Sequence, residues 1–138
     1  MMGGTTEFFE IETTTSQESF DINDRVKDVV ARSGIVRGLC QVMVLHSTCA
    51  IVVNETADPN IGKDVLRALG EVFPERDDWL HNLKDDNAAS HLRASVLGPS
   101  EVIPIVDGEL LLGKWQALWL FEFDGPRTRK VAVHLVEG

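Results

Sequence analysis

The sequence predicts one α+β domain in which two main helices pack on a large antiparallel or mixed β-sheet. Its 138 residues match the usual size of a single domain, and its 43% hydrophobic content is enough for a core. Two segments have helical apolar spacing, and the last third consists of short apolar runs separated by turn residues. We assign residues 5–138 to the domain and residues 1–4 to a flexible N-terminal tail.

The two predicted helices have recognisable ends. The first follows Asp21, whose carboxylate can cap free amides, and stops before Gly34, which suits the left-handed position after a helix. The second begins at Asp58-Pro59, because proline is tolerated in the first turn, and ends near Phe73-Pro74. The apolar stripes are Ile22, Val26, Val29 and Val30 in the first and Ile61, Val65, Leu69 and Val72 in the second.

Strands are predicted on both sides of the helices. Continuous or alternating apolar runs with many branched residues indicate buried strands, and Asp107-Gly108 is a strong hairpin signal. Between the second helix and the last strands, residues 75–90 are polar and irregular, and a loop of that length in a small domain is usually functional. The predicted strands are 7–12, 39–46, 51–53, 91–97, 101–106, 109–112, 115–123 and 130–136.

The charge balance limits the classes of partner. A formal net charge of −9 is repelled by phosphate backbones and anionic lipids, so we expect neither nucleic acid nor a membrane as a partner. No apolar run approaches the roughly 20 residues of a membrane span, and the first residues do not resemble a secretory signal. We therefore expect a cytoplasmic protein. Cys40 and Cys49 form no CxxC pair, and we interpret both as core residues.

Three histidines lie where the local structure breaks. His46 ends a predicted strand, His81 and His91 bracket the polar loop, and Glu55 follows the strand after His46. Imidazoles and carboxylates are common ligands of zinc-like ions, so this set is a candidate divalent-metal site. The alternative is unrelated solvated loop histidines, since the spacing forms no HExxH-type motif. His134 alternates with apolar residues in a terminal strand and is left out.

Two further clusters are candidates for ligand binding. Arg127 and Arg129 follow a tight turn in an acidic chain, where guanidinium groups could bind a small phosphorylated ligand or instead pair with nearby acids. A charge, an indole and an amide lie at the start of a predicted strand, on Lys114, Trp115 and Gln116. They could orient a heterocycle, or Trp115 could fill a core or an interface. We interpret the nearby Trp119 as structural.

Several short motifs occur in a fixed order along the chain. They are His46-Ser47-Thr48, Asn54-Glu55 followed by Asp58-Pro59, the loop from His81 to His91, Ser95-Val96-Leu97-Gly98-Pro99-Ser100, Pro104, Gly113-Lys114-Trp115-Gln116 and Phe123-Asp124-Gly125-Pro126-Arg127-Thr128-Arg129. Taken together, these motifs, including the C-terminal DGPRxR pattern, resemble the YjbQ family across about residues 5–137.

The resemblance implies a fold, an assembly and a reaction. The fold is α+β with a large antiparallel sheet. The assembly is a homotrimer, which the apolar run 118–121 also favours because we do not expect one small sheet to bury it alone. Proteins of this family are named secondary thiamine-phosphate synthases, since some show a weak capacity to join a pyrimidine diphosphate to a thiazole phosphate. The alternatives are a non-catalytic protein that binds a metal or a small anion, and a metal-dependent hydrolase of a small phosphorylated metabolite.

The resemblance also distributes roles among the candidate residues. It implies a divalent metal, zinc first, with magnesium as an alternative when the substrate is phosphorylated. The metal ligands would be His46, His81 and His91, the catalytic candidates Glu55 and Gln116, and the substrate-binding residues Lys114, Trp115, Arg127 and Arg129.

Two positions depart from the family pattern. Lys114 stands where the family usually has Thr, and Cys49 stands where a small Ala is common. Lys114 adds a charge that could recognise phosphate or indicate another substrate, whereas Cys49 is interpreted as a volume-conserving change.

Overall fold

The computed structural model describes residues 3–138 and confirms the α+β class, with eight strands and three α-helices in that range. The strands are β1 (Gly4–Glu12), β2 (Glu18–Asp21), β3 (Gly38–Val44), β4 (Cys49–Glu55), β5 (Ser100–Val106), β6 (Glu109–Leu110), β7 (Gln116–Glu122) and β8 (Thr128–Glu137). The helices are α1 (Asn23–Ser33), α2 (Asn60–Val72) and α3 (Ala88–Leu97), and a 3₁₀ turn spans Leu80–Leu83.

The strands form two antiparallel sheets. One has five strands in the order β1-β8-β3-β5-β6, and the other has three in the order β2-β7-β4. The main core includes the inward side chains of the five-stranded sheet, residues of α1 and side chains of the three-stranded sheet such as Leu120. A second core includes Phe121, Trp119, Leu69 of α2 and Ala94 of α3. The β4–β7 ladder therefore contributes to both cores.

The residues predicted at the two ends of α1 and in the turn between β5 and β6 have the expected conformations. The Asp21 carboxylate accepts a hydrogen bond from the amide of Asn23 at 2.9 Å, and Gly34 after the helix has φ 72°. Asp107 and Gly108 have φ 52° and 80°, the pair of positive values that a type I′ hairpin turn requires.

Two elements differ from the prediction. Residues 91–97 are not a strand but the greater part of α3, so the described residues form three α-helices rather than two. Ala88, Ala89 and Ala94, strong helix formers, are buried on its inner face, and the strand interpretation ignored them. The short strand β2 was missed because its four residues lie within and beside a polar stretch. Its pairing with β7 supplies the order that the local sequence lacks.

The apolar run in β7 is buried within the chain itself. Leu118, Leu120 and Phe121 are at most 1% exposed, and Trp119 is 7% exposed with its Nε1 donating to the carbonyl oxygen of Glu55. The structural role predicted for Trp119 is therefore confirmed. The reason given for a trimer was wrong, because this run leaves no apolar surface for a partner to cover.

Further predictions concerned the N-terminal residues, the two cysteines and membrane spans. Gly4, which the sequence places in a flexible tail, is the first residue of β1 and pairs with Val136, whereas residues 1 and 2 lie outside the described part. Cys40 and Cys49 are buried and free, as predicted, and burial raises the pKa of Cys40 to about 12. Among residues 3–138, no helix has the length and apolar character of a membrane span.

The tight packing of β3 against β8 gives the first prediction. A Cβ at Gly38 would lie 2.0 Å from the carbonyl oxygen of Val136, a backbone atom that cannot move aside. Gly38→Ala should lower the free energy of unfolding by about 1–3 kcal/mol or more. Gly70→Ala is the control, since nothing lies within 4 Å of its added methyl. In α2 it should gain up to about 1 kcal/mol. Urea unfolding of both variants tests this, and equal effects would contradict it.

Candidate functional site

One polar pocket gathers four of the nine predicted site residues. It lies where β3 ends, β4 and β8 begin and the first turn of α3 approaches. Its volume is about 410 Å³. The lining side chains with functional groups suited to ligand binding include His46, Ser47, Thr48, His91, Arg127 and Arg129. The structure thus brings two of the three predicted metal ligands together with both predicted arginines.

His46 is fixed in the wall of this pocket by the backbone. Its Nε2 accepts a hydrogen bond from the amide of Lys130 at 2.9 Å, so the neutral ring carries its proton on Nδ1. Partial burial and the positive charges of Arg129 and Arg127 lower the pKa of His46, and the opposing charge of Glu122 is not sufficient to reverse this. His46 is therefore a neutral ring at pH 7 and presents an N–H donor.

The other two histidines touch each other. His91 lies in the first turns of α3 and lines the pocket, and the ring of His81, in the 3₁₀ turn, meets it edge-on. Their ring centroids are 4.7 Å apart at an interplanar angle of 77°. Across residues 3–138, however, no three His, Cys, Asp or Glu side chains are arranged to hold a metal ion. As they stand, the three histidines do not form a ready three-ligand site.

The floor of the pocket contains a buried ion pair. Arg129 donates to both carboxylate oxygens of Glu122, at 2.8 and 2.5 Å, and the two side chains are 3% and 0% exposed. The same carboxylate accepts hydrogen bonds from the Thr13 hydroxyl at 2.8 Å, the Asp124 amide at 3.1 Å and the Cys49 thiol at 3.4 Å. Arg129 thus contacts an anion of its own chain rather than standing free for a substrate.

These contacts decide the charge state of Glu122. Burial alone would raise its pKa, but the hydrogen bonds from Arg129, the Asp124 amide and Thr13 outweigh that effect and lower the pKa. The carboxylate is therefore ionised at neutral pH, and the positive charge of Arg129 is compensated within the protein. The positive charge that remains available at the pocket is that of Arg127, and the carboxylates of Asp85 and Asp124 also line the pocket.

Arg127 is held at the rim by Asp124. Its Nε donates to the Asp124 carbonyl oxygen at 2.9 Å and its Nη2 to the Asp124 carboxylate at 3.2 Å, while the side chain stays 58% exposed. The Asp124 carboxylate also accepts from Asn87 Nδ2 at 2.9 Å. Thr48 accepts a hydrogen bond from Arg129 Nη2 at 2.8 Å, which leaves its own hydroxyl proton free to be donated.

The remaining predicted residues lie at the other end of the β4–β7 ladder. Glu55 pairs with Gln116 at one end and Cys49 pairs with Glu122 at the other. Cys49 and Glu55 are six positions apart along β4, a distance of roughly 20 Å. Within one chain the structure therefore does not bring Glu55 or Gln116 to the histidine pocket.

Two of these distant residues line a separate groove. Lys114 and Gln116 contribute to a groove of about 630 Å³ beside α1. Lys114 Nζ lies 5.0 Å from the centroid of the Trp115 ring, which is exposed, and Gln116 Oε1 accepts from the Gly113 amide at 2.8 Å. The side chain of Gln116 is thus engaged in its own turn.

The sequence interpretation missed Glu122, although a signal was present. In β8, Arg129 falls on the same side as Val131, Val133 and Leu135, so alternation alone places it in the core. A buried arginine requires a buried partner. Glu122, between two phenylalanines at the end of an apolar strand, was the acid to examine.

A small α+β protein with two antiparallel sheets and a histidine–arginine pocket has known relatives. The family profile described as UPF0047 protein YjbQ-like matches residues 7–138. UPF0047 protein YugU of Bacillus subtilis is 37% identical over 130 residues, covering 92% of this chain and 96% of the relative. A UPF0047 protein of Archaeoglobus fulgidus is 39% identical over 124 residues, covering 89% and 94%.

Solved structures of similar proteins have the same fold as this chain. A YbjQ-like protein of unknown function from Sulfolobus solfataricus superposes with a TM-score of 0.95 at 38% identity, covering 100% of both chains. A hypothetical protein from Aeropyrum pernix gives a TM-score of 0.93 at 36% identity, covering 97% and 99%. The chain belongs to the YjbQ (UPF0047) family.

The ion pair beneath the pocket gives a prediction on stability. Glu122→Gln leaves Arg129 charged and uncompensated in the interior, so it should lower the free energy of unfolding by about 3–5 kcal/mol at pH 7. The pKa of Glu122 is depressed by folding, so its contribution is present above the pKa of the unfolded chain, about 4.3. It is lost as the pH falls through the folded value.

The gap between native protein and Glu122→Gln should therefore shrink below about pH 4. Urea titrations from pH 7 to pH 3 measure it. The control is Glu71→Gln, which removes an exposed pair with Arg67 and should change stability by less than about 0.5 kcal/mol. A gap that stays constant with pH would contradict the assignment.

Proposed function

We propose that the histidine pocket binds a small phosphorylated metabolite. The observation that supports this most is the convergence of Arg127, two hydroxyl groups and two imidazoles on one cavity of about 410 Å³. That volume falls within the range of small-molecule sites. Phosphate is the ligand class that guanidinium, hydroxyl and imidazole N–H donors recognise together.

The hydrogen-bond donors of the pocket suit this ligand, and they must outweigh the carboxylates of Asp85 and Asp124 that line the same cavity. The pair of Arg127 with Asp124 is partly exposed, and such pairs contribute little free energy, so Arg127 can turn from this carboxylate to a phosphate at small cost. Ser47 and Thr48 add hydroxyl donors, and neutral His46 adds its Nδ1–H. The first turn of α3, which brings His91 to the pocket, contributes the partial positive charge of a helix N-terminus.

The family resemblance suggests the reaction to test. In a thiamine-phosphate synthase, the thiazole nitrogen attacks the methylene carbon of the pyrimidine diphosphate, the carbon–oxygen bond breaks, and diphosphate leaves with the electron pair. This chemistry requires positioning and neutralisation of negative charge rather than a nucleophile of the protein. Arg127 and the hydroxyls would neutralise the departing diphosphate.

Two other functions use the same pocket. A protein that only sequesters a phosphorylated metabolite needs the same donors and no turnover. A hydrolase of a small phosphorylated metabolite would need water activated by a bound divalent metal. Product formation from thiamine precursors, phosphate release from esters, and binding without either distinguish the three.

Metal binding is the second candidate property, favoured by the contact between His81 and His91. Two imidazoles with centroids 4.7 Å apart are close enough to share one divalent ion, with zinc as first choice. His46 would join them only by giving up its hydrogen bond to Lys130. Magnesium would more naturally arrive with a phosphorylated substrate.

Removal of the exposed guanidinium tests the phosphate proposal. Arg127→Gln should weaken binding of inorganic pyrophosphate at least tenfold in calorimetry, because charge-assisted hydrogen bonds contribute about 1.5–3 kcal/mol each. Arg67→Gln, which removes an exposed arginine of α2, is the matched control and should bind as the native protein does. Equal affinity of all three proteins would overturn the proposal.

The same proteins, given the pyrimidine diphosphate, the thiazole phosphate and magnesium, test the reaction. Native protein and Arg67→Gln should form thiamine phosphate, and Arg127→Gln should form at least tenfold less. If the native protein binds pyrophosphate but forms no thiamine phosphate, the pocket is an anion-binding site and the synthase hypothesis is wrong.

Zinc titration tests the second candidate. His81→Ala and His91→Ala should each lower zinc affinity by tenfold or more. His134→Ala should not, because in the native protein the His134 ring is hydrogen-bonded to the Thr6 hydroxyl at 2.7 Å, away from the two other histidines. Since a ligating imidazole must be unprotonated, zinc affinity should fall as the pH is lowered. Equally weak zinc binding by all four proteins would exclude the metal.

A further inference from the structure

Thr13 is a buried polar residue that contacts both the floor and the rim of the histidine pocket. It lies just after β1 and is 6% exposed. It follows Ile11 on the inward face of that strand, where an apolar residue is the usual choice. A buried hydroxyl requires hydrogen-bond partners, and those of Thr13 connect the buried ion pair to the exposed arginine.

The Thr13 hydroxyl stands between a carboxylate and a backbone amide. Its Oγ1 accepts a hydrogen bond from the amide of Arg127 at 2.8 Å, and it lies 2.8 Å from Glu122 Oε1 and 3.0 Å from the Arg127 carbonyl oxygen. The hydroxyl has one proton, and the nearer, charged oxygen of Glu122 is the stronger acceptor for it. A chain of hydrogen bonds therefore runs from the Arg127 amide through Thr13 to Glu122.

The bond from the Arg127 amide replaces a bond of the β1–β8 ladder. The last pair of that ladder is Glu12 with Thr128, and Thr13 and Arg127 come next on the two segments. The Thr13 amide donates to the Arg127 carbonyl oxygen at 2.9 Å, as in a regular antiparallel pair. The reciprocal bond would join the Arg127 amide to the Thr13 carbonyl oxygen, but the amide binds the Thr13 side chain instead. The hydroxyl thus directs the backbone of Arg127 out of the ladder and toward the floor of the pocket.

Glu122 holds the turn that carries Arg127 at both of its ends. At one end its carboxylate accepts from the Asp124 amide at 3.1 Å, and at the other it accepts from Thr13, which holds the Arg127 amide. The turn is packed closely in between, since a Cβ at Gly125 would lie 2.8 Å from Thr13 Oγ1. The position of the turn is therefore fixed relative to the buried ion pair.

The guanidinium of Arg127 depends on the position of this turn. Its Nε and Nη2 donate to the carbonyl oxygen and the carboxylate of Asp124, which lie within the turn itself. These bonds place the guanidinium relative to the turn, whereas Thr13 places the turn relative to the pocket. Hydrogen bonds from guanidinium to phosphate are strong only in a narrow range of distances and angles.

We propose that Thr13 is a positioning residue for the ligand-binding arginine. It transmits the position of the buried pair of Glu122 and Arg129 to Arg127, and it thereby raises the affinity of the pocket for phosphate. Thr13 is not one of the described residues that line the pocket, so it acts without touching the ligand. This inference rests on the proposed function, because it concerns how the same pocket binds a phosphorylated anion.

Removal of the hydroxyl tests the positioning role. Thr13→Val keeps the shape of the side chain but loses both hydrogen bonds of Oγ1, whereas Thr13→Ser keeps them. In calorimetry with inorganic pyrophosphate, Thr13→Val should bind roughly three- to tenfold more weakly than native protein, because a small displacement of a donor weakens its hydrogen bonds steeply. Thr13→Ser should bind as the native protein does.

Cys49→Ala is the control for a loss of stability alone. In the described part of the chain, the Cys49 thiol is hydrogen-bonded to the Glu122 carboxylate at 3.4 Å and not to the turn that carries Arg127. Like Thr13→Val, this variant removes a buried hydrogen bond of Glu122 and should lower the midpoint of urea unfolding. Unlike Thr13→Val, it should bind pyrophosphate with native affinity.

A double-mutant cycle shows whether Thr13 acts through Arg127. If it does, Thr13→Val combined with Arg127→Gln should bind pyrophosphate no more weakly than Arg127→Gln alone. If Thr13→Val loses the native circular dichroism spectrum, Thr13→Cys, whose thiol is a weaker donor and acceptor, takes its place. Losses of affinity that add in the double variant would refute the positioning role.

The measurements separate failure of this inference from failure of the proposed function. Equal pyrophosphate binding by native protein and Arg127→Gln would reject the proposed function, and the positioning role with it. If Arg127→Gln weakens binding but Thr13→Val has native affinity, the pocket remains an anion site and the positioning role alone is wrong.

Discussion

The ion pair between Glu122 and Arg129 is the constraint on which the pocket depends. A buried carboxylate and guanidinium are tolerated only when each is neutralised and hydrogen-bonded, and here Thr13, Cys49 and the Asp124 amide complete the hydrogen bonds of the carboxylate. The pair ties the end of β7 to β8, and through Thr48 it ties both to the segment before β4. The ends of two consecutive strands and a segment 81 residues away in sequence are thereby held around one cavity.

The two arginines of the pocket differ in burial and therefore in role. Arg129 organises the floor, and its charge is already compensated by Glu122. Arg127 lies two residues earlier, in the segment before β8, and reaches the rim of the pocket, where its pairing with Asp124 is exposed and weak. The same type of side chain thus has a structural role at position 129 and is proposed to bind ligand at position 127, because the burial of the two positions differs.

Local patterns predicted much of the fold but less of the site. The periodicity of α1 and α2 and the Asp107-Gly108 turn depend on neighbouring residues and were predictable, whereas β2 exists through its pairing with β7 and was not. The neighbourhood of His46, His91 and the arginines was predicted by family resemblance rather than by spacing. The role of Glu122 depends on how β7 and β8, consecutive strands of two different sheets, pack against each other, which a single sequence does not display directly.

We propose that the pocket above the ion pair binds a phosphorylated anion. A crystal structure of the protein grown with inorganic pyrophosphate tests this most directly. We expect the anion in contact with the Arg127 guanidinium and the hydroxyls of Ser47 and Thr48, with Arg129 still hydrogen-bonded to Glu122. Pyrophosphate bound instead beside Lys114 in the groove along α1, with the histidine pocket free of it, would contradict the proposal.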